Sequence, residues 1–199
     1  MPNIETPPST AEAFIDDPAY LEAVVALAHA VVQRFDAEQN PSTDARRTAV
    51  VEHLVRRERN IKEEIAVRVE ATRRSGRALA LENMNSRFDL TCVEYGVLKF
   101  LVAVALDRTR VMDGGTLLGP SVAEVFDLLG LGVADRIRSL AMFRPSGRLV
   151  QHGLVHVEPG ADGLQPSVLM GAWLSITNDA LEAAAGLRDI EDIQAPTDP

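Results

Sequence analysis

Two histidines four residues apart, a lone cysteine, a glycine-bounded loop and a series of arginines are the residues of this 199-residue chain best placed to do chemistry. On a helix, His152 and His156 would share a face and could hold a metal ion. Their surroundings, Leu149-Val150 and Leu154 to Val157, are short and β-branched, which predicts strand. Residues four apart in a strand are separated by about 13 Å, too far to share one ion. His152 is therefore expected at the bend before Gly153, with His156 half-exposed on a strand, and no metal site is expected. Cys92 falls in the first turn of a predicted helix, where the dipole favours a thiolate. A nucleophile also needs a base and an oxyanion site, and the sequence supplies neither. Cys92 is expected as a small buried residue. The nearest string to a phosphate-binding loop, Gly114 to Gly119, puts Pro120 where the loop's lysine must stand. No catalytic residue and no cofactor is expected.

The arginines are the stronger candidates. Between Arg46 and Arg77 there are ten Lys/Arg against five Glu, a local balance of 10 − 5 = +5 in a chain whose net charge is −9. General attraction to nucleic acid or to an anionic membrane is therefore not expected. Arg56, Arg57, Arg59, Arg73, Arg74 and Arg77 read either as a solvated helix face with local glutamate partners or as a contact for an acidic partner surface. Arg144 and Arg148 add a smaller basic site further on.

These residues need elements to carry them. The stretch 88–106 places Leu90, Val93, Val97, Leu98, Leu101, Val102 and Ala105 at helical spacing, and its far end carries no charge. It predicts a buried central helix, opened by a capping box of Thr91 with Glu94. Upstream, residues 1–17 read as a mobile tail. Residues 18–77 read as a helical extension, starting at Asp17-Pro18. The segment 44–75 is either one helix or two, because Asn60 with Glu63 is another capping signal. Downstream, Asp113-Gly114-Gly115 is a turn, and Ser121 with Glu124 caps a helix that Gly130 and Gly132 close. A helix over 133–142 follows, with Ile137 and Leu140 inward. Strands are predicted at 149–150, 154–157, 168–170 and 173–176, around a loop at 159–163. A last helix runs from Ala180 to Leu187, capped by Thr177-Asn178-Asp179, and 189–199 reads as a linker or tail. The fold class is mainly α with a small β-hairpin: a winged-helix domain over 78–188, preceded by the extension. No segment is apolar for long enough to span a bilayer, and the single cysteine with no signal peptide fits the cytoplasm.

Three segments carry a resemblance. RFDLTCVEYGVLKFLVAVALD (87–107) resembles the Arg-Phe-x-Leu-(Ser/Thr) motif and acidic, apolar helix of the N-terminal winged-helix domain of a group of bacterial AAA-type ATPases. MFRPSGRLVQHGLVHVEP (142–159) is similar to that domain's Phe-x-Pro-x-(Gly/Ala)-x-Leu-x-x-His-Gly-Leu segment, and LSITNDALEAAAGL (174–187) to its closing strand and helix. The resemblance covers roughly 79–188. It implies a non-catalytic, partner-recruiting or regulatory role beside an ATPase module, in the same chain or another; that module is absent from these residues. The other reading is a free-standing winged-helix regulator that binds DNA as a dimer through the extension. Against it, the Ser121–Leu129 helix carries Glu124 and Asp127 and no Lys or Arg, and acid repels phosphate. The expected partner is a protein or an AAA-type ATPase module, with a second copy of the chain left open.

Overall fold

A computed structural model describes residues 12–39, 45–111, 119–158 and 165–193. The Asp113-Gly114-Gly115 turn, the 159–163 loop and both ends lie outside the described residues.

The central helix, α4 (Cys92–Leu106), forms as its pattern predicts, and nine of its fifteen residues are buried. Thr91 Oγ1 accepts the Glu94 amide at 3.3 Å, and Glu94 Oε2 accepts the Thr91 amide at 2.8 Å, so the capping box is complete. Val97, Leu98 and Val102 are sealed from solvent. The inward stripe ends at Val104; Ala105, expected inward, is exposed.

Two long antiparallel helices stand beside it. In α1 (Asp17–Gln39), Tyr20, Leu21, Val24, Val25 and Ala28 are buried. Its cap lies one residue earlier than expected. Asp16 Oδ1 accepts the Ala19 amide at 2.9 Å, which leaves the Asp17 carboxylate to accept the Ala80 amide at 2.7 Å. The segment 44–75 is one continuous helix, α2 (Ala45–Arg74). Asn60 lies exposed within it, and Ile61, Ile65 and Val69 beyond it pack against the core. Arg34 Nε donates to Glu58 at 2.6 Å and Arg57 donates to Gln33 at 2.8 Å, which fastens the middle of α2 to α1.

The expected tail is not free over its last residues. Phe14 is completely buried, edge-on to Tyr20 at 5.2 Å and under the Arg68 guanidinium at 4.0 Å. The buried Thr72 hydroxyl accepts the Phe14 amide at 2.8 Å and donates to the Arg68 carbonyl at 2.7 Å. An aromatic of that size stabilises the docked segment by roughly 2–3 kcal/mol, enough to hold a few residues.

The helix before α4 is α3 (Ala80–Arg87); after α4 come α5 (Arg108–Val111), α6 (Val122–Leu128) and α7 (Val133–Ser139). Ser121 and Glu124 complete a second capping box. The helix expected to run to Met142 tightens to a 3₁₀ turn at Leu140–Phe143. That turn carries Leu140, Met142 and Phe143 into the core, whereas Ile137, expected inward, is 68 % exposed.

The hairpin is smaller than expected. β1 (Val155–Glu158) pairs antiparallel with β2 (Trp173–Ile176), with Val155 opposite Ile176 and Glu158 opposite Trp173. Residues 149–150 belong to a helical turn, α8 (Arg148–Gln151), closed by Gln151 N donating to Gly147 O at 2.8 Å. Residues 168–170 belong to α9 (Pro166–Met170), because Pro166 stands at its first position with φ already set for helix. Thr177 caps α10 (Asn178–Ala184), accepting the Ala180 amide at 3.2 Å. Ile190 and Ile193 then pack half-buried against the core. One apolar cluster runs from Phe14 through α1 and α4 to Ala184, so extension and hairpin share a single core.

Candidate interaction surface

The helix pair α6–α7 is joined by a tight turn at Leu129–Gly132, with Gly130 at φ +68°. The segment before α6 lies against the hairpin. Leu174 N donates to Pro120 O at 2.8 Å and Val122 N donates to Ala172 O at 3.0 Å, with Ser121 bridging Trp173. This gives β2 a partner on its second edge. Gly119 permits it: a Cβ there would stand 1.9 Å from the Leu174 carbonyl oxygen. A helix-turn-helix backed by a two-stranded wing that is pinned in this way is the arrangement of a winged helix.

The chain belongs to the family described as "Winged helix domain, variant". The family model matches residues 5–174, so it takes in α1 and α2 as well as the helix-turn-helix and wing. No curated protein and no solved structure matches the chain.

In this winged-helix variant, the first two sequence segments that carried the resemblance meet in space. Phe88 packs against His152 with ring centroids 4.9 Å apart. Arg148 donates to the Asp89 carbonyl at 2.6 Å and lies 3.3 Å from the Asp89 carboxylate and 3.6 Å from Glu94. Asp89 needs that support, since it holds φ +48°, a left-handed conformation for a residue with a side chain. Gly153 turns the chain at φ +64°, and its carbonyl accepts the Thr177 hydroxyl at 2.6 Å. The Phe-Asp-Leu-Thr turn and the His-Gly-Leu turn thus hold each other. His152 sits at the end of α8 against an aromatic ring, and His156 is exposed on β1. Among the described residues no group of three or more His, Cys, Asp or Glu could hold a metal ion.

The second helix of the pair, α7, occupies the position of the helix that reads bases in DNA-binding helix-turn-helix proteins. None of its residues is buried. Val133 is 75 % exposed and Ile137 68 %, one helical turn apart on the same face. Its two arginines are engaged within the protein. Arg136 reaches Asp127 at 2.5 Å and the Leu131 carbonyl at 2.7 Å; Arg138 reaches Asp135 at 2.6 Å. The surface presented here is therefore apolar at its centre with its charges balanced around it.

The arginines singled out from sequence do not gather into one site. On a continuous helix, Arg56 and Arg73 are about 26 Å apart. Arg56 and Arg59 are exposed, and Arg57 is tied to Gln33. Arg73 and Arg74 flank Glu70 at 2.8 and 3.0 Å, exposed pairs of small energetic weight. Arg77 folds back onto the Phe14 and Ile15 carbonyls. Arg144 is exposed on the segment after the 3₁₀ turn, and Arg148 serves the Asp89 turn described above. Cys92 is exposed, not buried as expected; Glu94 and Tyr95 in the same turn are buried, so Cys92 stands on the outward side of that turn.

Sequence reasoning passed over a buried polar cluster between α1, α3 and α4. Glu82 accepts hydrogen bonds from both the Tyr20 and Tyr95 hydroxyls, the latter at 2.5 Å, and the two hydroxyls lie 3.1 Å apart. Burial, and then the charge of Glu82, pushes the Tyr20 phenol far above the usual tyrosine range. Tyr95 is pushed up by burial, then by Tyr20 and Glu82. One usable signal was present: Tyr20 and Tyr95 are the chain's only tyrosines, and each stands within an apolar helical stripe where its hydroxyl must find a partner.

Proposed function

We propose that this winged-helix variant is a non-catalytic protein-interaction domain that recruits partners to an AAA-type ATPase, and that α7 makes the contact with the ATPase-bearing protein. The observation that carries this reading is the character of α7. A helix that reads DNA must offer unpaired cations to phosphate and polar groups to base edges. Here the helix offers Val133 and Ile137; Asp127 holds Arg136, and Arg138 is an exposed arginine paired weakly with Asp135. Exposed apolar side chains ringed by polar ones are what protein contacts use. The association with an AAA-type ATPase rests on the resemblance of the Arg-Phe-Asp-Leu-Thr and His-Gly-Leu segments, whose mutual packing gives those motifs a shared structural purpose.

A photo-crosslinking residue at position 137 of the whole chain, expressed in its own cell, tests the proposal. The expected product is an adduct to a protein carrying an AAA module, lost when the crosslinker is moved to exposed Glu158 on β1. An adduct to DNA, or adducts only to proteins without such a module, would overturn it.

A further inference from the structure

Between α1, α2, α4 and α6 the helices form a half-open cleft of about 170 Å³, with Lys62 exposed at its mouth. Val24, Val31, Phe100 and Leu128 form apolar walls. Three cations, Arg34, Lys62 and Lys99, line it against one carboxylate, Glu58. That carboxylate is already committed, since Arg34 Nε donates to it at 2.6 Å, and the same guanidinium also reaches Glu38 and the Leu128 carbonyl. The positive charge left over belongs to the two lysines. Lys99 is the more constrained. It projects from the middle of the most buried helix, and among the described residues no carboxylate lies within ion-pair distance of it. Its ammonium rests 4.2 Å from the centre of the Tyr95 ring. That ring cannot turn away, because its hydroxyl is held by Glu82. Glu82 in turn has both tyrosine hydroxyls on it and offers Lys99 only a distant attraction. Burial lowers the pKa of Lys99 from the ordinary lysine range, and Lys62 adds to that.

A largely buried cation without an anion, beside an apolar space, is a cost that a ligand of matching shape would remove. We propose that this cleft binds a small monocarboxylate with an apolar body, its carboxylate at Lys99 and Lys62 and its body against Val24, Val31, Phe100 and Leu128. The volume fits that class, since a cavity of about 150 Å³ with apolar walls holds one benzene ring. A phosphate fits it poorly. It would lose water to walls that return no hydrogen bonds, and would find two ammonium groups in place of the fan of N–H donors it needs.

Benzoate is the probe, with benzyl alcohol as its neutral counterpart and benzylamine as its charge-reversed one. Titration of the whole chain, followed by amide NMR shifts and calorimetry, should show saturable benzoate binding with shifts centred on Val31, Lys99 and Leu128. Benzoate should bind at least about tenfold more tightly than benzyl alcohol, and benzylamine should not bind. Lys99→Met, which keeps the length of the stem, should bring benzoate down to the level of benzyl alcohol and leave benzyl alcohol unchanged. Equal affinity for acid and alcohol in the unaltered chain would overturn the proposal whatever the variant does. So would the absence of saturable shifts, or benzoate shifts confined to the exposed arginines of α2 and indifferent to Lys99→Met.

Discussion

Helices α4 and α7 both carry apolar residues one turn apart, yet they stand at opposite extremes of burial. In α4, nine residues are buried and the apolar stripe touches α1, β2 and α10. In α7 no residue is buried, and Val133 and Ile137 face solvent. The same residue chemistry therefore has two purposes. In α4 it supplies the burial that holds the fold. In α7 the fold does not use it, and the large apolar side chains of a short solvent-facing helix are free for a partner. The arginines divide in the same way. Arg148 and Arg34 support backbone and neighbouring helices, whereas Arg56 and Arg59 stand in solvent.

If this contrast is right, substitutions in the two helices separate stability from binding. The largest effect is expected from Leu101→Asp. Leu101 is 2 % exposed, and a carboxylate there has no partner. The loss should be on the order of 4–5 kcal/mol or more, enough to abolish a cooperative thermal transition. A transition near that of the unaltered chain would break the comparison at its buried end.

A smaller effect belongs to the tyrosine cluster that joins α4 to α1 and α3. Tyr95→Phe removes one donor from Glu82 and should cost about 1–3 kcal/mol in chemical denaturation. The cluster also has a pH signature. Both phenols are raised in the folded chain, so above about pH 10 the unfolded chain loses tyrosine protons that the folded one keeps. Stability contributed by the pair is fully present below that pH and declines as pH rises further. Because Tyr20 and Tyr95 are the only tyrosines, tyrosinate absorbance reports on this cluster alone. It should appear only together with unfolding. Tyrosinate forming near pH 10 in a chain that is still folded would contradict the buried geometry.

The smallest stability effect is expected at the other end. Ile137→Ser should change folding free energy by no more than about 0.5 kcal/mol, since that side chain is 68 % exposed. It should nevertheless weaken partner binding. A destabilisation comparable with that of Tyr95→Phe would mean that Ile137 serves the fold after all, and the contrast would fail.

Much of this was legible in the residues. Capping boxes at Thr91 and Ser121 and the stripe of α4 follow from local rules that act within one turn, and they appear in the structure as expected apart from Ala105 at the end of the stripe. What local rules missed depended on contacts distant in sequence. Phe14 looked like part of a polar tail, because its pocket is made by Thr72 and Arg68, more than fifty residues away. The 168–170 strand was misread because Val168 to Met170 read, with 173–176, as the return of the hairpin, and the proline that starts a helix at Pro166 was passed over. Ile137 was placed inward on spacing alone, and spacing cannot tell a core-facing stripe from one left open to solvent. Cys92 was placed inward because no catalytic partner was legible for it, which does not say which side of its turn meets the core. The mutual support of Asp89 and Arg148 could not be read from either motif separately.

The claim that α7 meets protein rather than phosphate is tested most directly by fluorescence anisotropy. Labelled duplex DNA would be titrated with the whole chain at about 50 mM and again at about 200 mM salt. The account predicts no saturable binding at either concentration. Saturable binding that weakens about a thousandfold or more across that range would show phosphate contacts and contradict it.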